Sequence, residues 1–442
     1  MDAILLAYGL EWANLLVRWL HLITGIAWIG ASFYFVWLDN SIRPPAPGSD
    51  KAVAGVSGEL WAIHGGGFYN PQKYLNAPAT LPQTLHWFKW EAYSTWLSGF
   101  LLLLIVYHAN AGTMMVDPGV DDLAPWQASL IGLGTLLVGW AVYDLLCRSP
   151  LGQRDAEFGL IMYVFLVTVA YVLSQLLSGR AAYIHVGALI GTIMVGNVLM
   201  VIMPAQRKMV AAMRAGQVPD PQHGKRGKQR SVHNNYFTLP VLFIMISNHY
   251  AMTYRHANNW LVLAAIMAAG VLIRHYFNLR HRGRNAWGYP LAGVAILAVL
   301  AVLMAPRPMP GAGAPAAQSS PVMPGPGSAA PAPAPGAALS AGADSTGGTA
   351  VTTGAASTAD FAAVTAIIAQ RCTACHAERP TQPGFATAPA GVVLDSAQRI
   401  RQYGARIYQQ AVVLKAMPIG NVTNMTDGER ARLASWFEAG AH

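Results

Sequence analysis

Residues 181–203 read AAYIHVGALIGTIMVGNVLMVIM and contain no Asp, Glu, Lys or Arg. As a helix rising 1.5 Å per residue, such a run is long enough to cross a hydrocarbon layer of roughly 30 Å. A helix also satisfies its own backbone polar groups, which a bilayer demands. Similar apolar runs lie on both sides, near Trp12–Leu38, Glu91–His108, Pro125–Cys147, Phe158–Leu177, Tyr236–Tyr254, Asn259–Leu279 and Trp287–Ala305. Residues 1–305 are therefore expected to form an all-α, polytopic membrane helix bundle of about eight spans.

Composition points the same way. Of 442 residues, 54% are hydrophobic and 11% charged, whereas a soluble domain carries about 25% charged residues. Mean hydropathy is +0.34. The 13 Trp and 17 Tyr supply rings that favour membrane interfaces. The N-terminus lacks a basic stretch and a small-residue cleavage site, so the first span is expected to stay. Three cysteines exclude a disulfide framework. Cys147, alone at a span end, reads as structural.

The net charge of +9 is unevenly placed. Arg43, Lys51, Lys73 and Lys89 follow the first span, Arg148 and Arg154 the third, and Arg207 to Arg230 the fifth. Arg280, Arg282 and Arg284 follow the seventh. The intervening loops hold little besides Arg180 and Arg255, with Asp117, Asp121 and Asp122 between spans two and three. Basic loops stay inside, so both termini are expected outside. The basic 204–230 loop is then a topology signal, and no nucleic-acid partner is implied.

Residues 306–357 are almost entirely Pro, Ala, Gly, Ser and Thr. Such a segment cannot bury a core and reads as a disordered tether, spanning on the order of 40 Å as a flexible coil. Residues 358–442 return to ordinary composition and are expected to be a small class I cytochrome c domain. An amphipathic helix over Ala362–Gln370 leads into Cys372-Thr373-Ala374-Cys375-His376, the c-type haem attachment pattern. The two thiols would bind the haem vinyl groups and His376 the iron. A zinc half-site would need two further ligands, and no second Cys pair exists; a redox dithiol is the other alternative. Met417, followed by Pro418, is the expected sixth iron ligand, with Met425 as competitor. Thr426-Asp427-Gly428-Glu429 forms a capping box opening a last helix. Its Leu433, Trp436 and Phe437 would pack on the first.

Ionisable groups at membrane depth point to function. His21, His108, His185 and His249 fall in the outer part of spans one, two, five and six. Either each bonds a neighbouring helix, or facing pairs ligate haem b iron. The long inner segment 39–90 is the second oddity. It holds Trp61, then His64-Gly65-Gly66-Gly67-Phe68-Tyr69-Asn70, Lys73, and His86-Trp87-Phe88-Lys89-Trp90-Glu91. Glycines allow close backbone approach, and His, Lys and aromatic rings suit a flat anionic heterocycle. The bland alternative is an interfacial belt with snorkelling lysines.

His21–Tyr34 (HLITGIAWIGASFY), the His64–Asn70 segment, Thr84–Trp96 and the terminal haem motif together resemble the membrane-bound, cytochrome c-fused urate oxidase family of bacteria. The resemblance runs through nearly the whole chain. It implies oxidation of urate to 5-hydroxyisourate in purine breakdown, with electrons leaving through haem c instead of forming peroxide. A respiratory-chain acceptor would follow, and the inner cell membrane would hold the protein with both termini and the cytochrome periplasmic. On that basis Trp61, Gly66, Tyr69, Asn70, Lys89 and Trp90 are candidate substrate-binding residues. His64, His86, Lys73 and Glu91 are candidate catalytic residues for charge and proton. A substrate at this inner loop would need a relay, such as haem b, to reach the outer haem; one near the outer face would need none. A quinol-oxidising or oxidase-associated cytochrome is the alternative, and a purine transporter a third.

Overall fold

The computed structural model describes residues 3–75, 77–305, 354–382, 385, 388–389 and 392–440. Among them, six helices are long and apolar enough to cross a membrane: Trp12–Ser41, Trp90–His108, Pro125–Arg148, Asp155–Leu176, Gly179–Arg214 and Asn259–His281. We label α1 Ala3–Ser41, α2 Trp90–Leu102, α3 Pro125–Arg148, α4 Asp155–Leu176, α5 Gly179–Gly196, α6 Met203–Arg214, α7 Pro221–Ser247, α8 Asn259–His281 and α9 Gly288–Leu303. The other two expected spans correspond to the C-terminal part of α7 and to α9. The first half of α7 is polar (Lys225, Arg226, Lys228, Arg230), and α9 has only 16 residues.

The central helix is α5, whose side chains from Ala181 to Gly196 are mostly buried. Without water to drive apolar groups together, membrane helices approach through small residues. A Cβ at Gly139 of α3 would lie 2.3 Å from Leu189, and one at Gly187 would lie 2.4 Å from Ile244 of α7. At the periphery, α1 exposes Leu15, Leu16, Trp19, Leu22, Ile23 and Ile26, as a lipid-facing helix should.

The basic loops meet at one end of the bundle. Asp39, at the end of α1, pairs with Lys73 and lies 3.2 Å from Lys228. Arg282 donates to Asn40 Oδ1 at 2.8 Å. Segment 39–90 is folded here, adding short strands to the all-α expectation. β1 (Val56–Glu59) pairs antiparallel with β4 (Gln72–Tyr74), and β2 (Ala62–His64) with β3 (Gly67–Tyr69).

The expected tether falls largely on residues 306–353, outside the described residues. The C-terminal domain opens with α10 (Gly354–Arg371), so 354–357 belong to a helix and not to the tether. It closes with α11 (Asp427–Glu438), which carries the expected Thr426–Glu429 capping box. Leu433 and Trp436 are buried with Val364, Ile368, Leu394 and Ile400, and the Phe361 and Trp436 rings lie 5.8 Å apart. This domain seats on the bundle end opposite the basic loops. Arg255 bridges Asp117 Oδ2 at 3.4 Å and the Ala416 carbonyl at 3.3 Å.

Candidate functional site

In the C-terminal domain, Cys372, Cys375, His376, Phe385, Met417, Pro418 and Val422 line one cleft. The turn after α10 presents the two cysteines, and the segment before α11 carries Met417 across from them. His376 Nδ1 lies 2.8 Å from the Val392 carbonyl, which can only accept. The proton therefore sits on Nδ1 and leaves Nε2 bare for a metal. Both thiols are free, and burial, then Cys375, pushes Cys372 up to about 12, while burial raises Cys375 as well. A redox dithiol has a lowered thiol pKa, so that alternative loses support. Among the described residues, no cluster of three or more His, Cys, Asp or Glu could hold a metal ion. Met425 is 3% exposed and packed in the domain core, while Met417 lines the cleft. The residues present suit a covalently held haem: Cys372 and Cys375 would anchor it, and His376 and Met417 would be available to bind its iron.

One bundle residue, Thr113, lines the same cleft. It also lines a second cavity of about 360 Å³, shared with His108, Asn110, Gly112, Trp126, Ser129 and Gln382 of the C-terminal domain. His108 closes a π-helical turn, Leu103–His108, at the end of α2. Such wide turns occur often at functional sites. His108 Nε2 and His185 Nε2 are 3.4 Å apart. His185 Nδ1 lies 2.8 Å from the Ala181 carbonyl and so carries the proton. His185 Nε2 must then accept, and His108 Nε2–H must donate. His108 Nδ1 is left bare, buried and without a hydrogen-bond partner among the described residues.

The four histidines expected as haem b ligands are not gathered into two facing pairs. A Cβ at Gly132 of α3 would lie 2.4 Å from His185 Nε2 and 3.2 Å from Met115 Cε, so the glycine lets α3 pack directly on His185. His21 lies apart, 2.9 Å from the Thr95 carbonyl and 3.1 Å from Ser98 Oγ. On α2 that level is some ten residues from His108, or roughly 15 Å along the helix. His249 is exposed beyond the end of α7. Only His108 and His185 are brought together.

The inner-loop candidates are dispersed. Trp61, His64, Gly66 and Tyr69 are exposed on the β2–β3 hairpin. Gly65 (φ 56°) and Gly66 (φ 81°) make its turn, which needs positive φ, and nothing lies near either. The glycines serve the turn. Lys73 pairs with Asp39. Asn70 accepts from Lys51 at 3.0 Å and donates to Glu59 at 3.0 Å. His86 packs edge-on against Phe88, their centroids 4.5 Å apart, and Lys89 lies over Trp90. Glu91 buries an unpartnered Oε2 at the start of α2.

A second polar cluster escaped the sequence reading. Arg274 of α8 donates to Asn235 Oδ1 at 2.5 Å and lies 4.0 Å over the Phe33 ring, with Asn278 bonded to Asn235. Its Nη2 is buried without a partner. A lone Arg near the inner end of an apolar span was the one available signal.

No match is found among curated proteins or solved structures. A family model described as urate oxidase N-terminal matches residues 7–305, from α1 through α9, and the chain belongs to that family.

Proposed function

We propose that this protein is a membrane-bound urate dehydrogenase. It oxidises urate to 5-hydroxyisourate and passes the electrons to a haem c on its own C-terminal domain, in place of making peroxide. The observation that carries this reading is Thr113: the urate oxidase-family bundle and the haem-attachment residues share one cleft wall. Electron tunnelling falls steeply with distance, and urate bound near this contact would need no relay across the bilayer.

The haem, when bound, accepts one electron at a time. Cys372 and Cys375 would anchor it, His376 is held in rotation by the Val392 carbonyl, and Met417 would supply a thioether that favours reduced iron. Arg430 fixes the Met417 segment, donating to its carbonyl at 2.8 Å. The urate monoanion gives up two electrons and one proton, and water supplies the new hydroxyl. The basic loops support a cell-membrane placement with the C-terminal domain on the periplasmic face, from which electrons pass to a respiratory one-electron acceptor.

The test is the spectrum of the purified full-length protein without oxygen. Urate should reduce the haem and lose its own absorbance. Absence of reduction by urate refutes the reading, and reduction by a quinol in its place would install the quinol-oxidising alternative.

A further inference from the structure

We infer that urate binds in the cavity where the C-terminal domain meets the bundle, and that His108 takes the proton released on oxidation. This inference rests on the function proposed above and names its substrate site. The cavity, about 360 Å³, is large enough for a bicyclic purine and the water that adds to it. Asn110, Thr113, Ser129 and Gln382 supply hydrogen-bonding groups, and no Asp or Glu lines it to repel an anion. Trp126, 67% exposed, offers a flat ring. Thr113 belongs both to this cavity and to the cleft of Cys372, Cys375 and His376. A substrate here is therefore adjacent to its electron acceptor.

The base follows from the hydrogen-bond chain. Ala181 fixes the proton on His185 Nδ1, and His185 Nε2 then holds the Nε2–H of His108. His108, which lines the cavity, is left with a bare, water-shielded Nδ1 that has no hydrogen-bond partner among the described residues. His185 is the positioning residue and His108 the catalytic one. The step balances as follows. The urate monoanion loses a ring N–H proton to His108 and two electrons, which the haem that Cys372, Cys375 and His376 would hold could take one at a time, with a downstream one-electron acceptor taking each in turn. Water then adds across the oxidised C5–N bond, its oxygen forming the C5–O bond and its proton going to nitrogen.

The experiment is anaerobic stopped-flow reduction of the full-length holoprotein by urate, with dithionite reduction as the check that haem is intact. His108→Gln should slow the limiting rate by at least about a hundredfold, the size of a lost general base. Gly112→Leu has room, since its Cβ would meet only Pro125 at 3.5 Å. It and Ser129→Leu should raise half-saturating urate about tenfold or more by filling the cavity. These two carry the test if His108→Gln fails to fold. Wild-type behaviour in all three variants, with wild-type protein still reduced by urate, overturns the site and leaves the function standing. Loss of reduction in Arg274→Gln alone would move the substrate to the inner cluster. A wild-type protein that urate does not reduce refutes the underlying function instead.

Discussion

His376 and the two methionines near it divide their work by position. The Val392 carbonyl holds one imidazole nitrogen, and Met417 lines the same cleft as His376. Met417→Ala should therefore lower the haem potential in a redox titration while leaving covalent attachment intact. Met425→Ala should keep the potential and cost about 2–5 kcal/mol of stability, because it opens a cavity in the domain core. The reverse pattern would make Met425 the ligand. Glu429 works at the same scale. Burial tends to raise its pKa, but the Thr426 N–H and the Arg371 guanidinium, 2.9 Å away, hold it below the ordinary value of 4.5. A depressed carboxyl stabilises the fold above its unfolded pKa and loses that contribution as pH falls through the folded one. Acid unfolding of the C-terminal domain, followed by haem absorbance below pH 4.5, should be shallower in Glu429→Gln.

Among the elements, apolar spans were legible because a bilayer dictates their length and polarity before any partner is known. The Cys372–His376 motif and the Thr426 cap were legible for a similar reason: both are short, local patterns. The hairpins of segment 39–90 were not, since strands of three or four residues leave no usable periodicity. Their stability comes from distant partners. Asp39 from α1 gathers Lys73 from β4 and Lys228 from α7, and only the folded chain brings these three together. His108 and His185 stood out as membrane-depth histidines, but their 3.4 Å contact depends on Gly132 allowing α3 to close on α5. The Asp39 cluster is partly exposed, so Asp39→Asn should cost no more than about 1 kcal/mol globally. Its effect should be local: two lysines lose their shared anion, and trypsin should cut segment 39–90 several times faster. Unchanged proteolysis would show that the strand pairing alone holds the segment.

For the whole molecule, the proposed electron transfer depends on how the C-terminal domain seats on the bundle, since the chain joining them is long and nearly free of charge. Two contacts fix the seat. Arg255 ties Asp117 of the bundle to the Ala416 carbonyl, one residue from Met417. Gly420 packs against bundle backbone, where a Cβ would lie 2.8 Å from the Val116 carbonyl and 3.0 Å from that of Thr113. Its φ of 57° also favours glycine. A side chain at 420 would thus push the cleft off Thr113 while Cys372, Cys375 and His376 lie on other segments of the domain. Gly420→Leu should slow urate-driven haem reduction by about tenfold or more, since a few ångströms of added gap weaken tunnelling exponentially. Reduction by dithionite, which needs no docking, should keep its wild-type rate. Arg255→Ala should have the same direction and a smaller effect, growing less distinct from wild type as added salt screens the Arg255–Asp117 pair. Equal urate and dithionite kinetics in wild type and Gly420→Leu would mean that electrons leave the bundle by another route, and that the seat at Thr113 is not the conducting one.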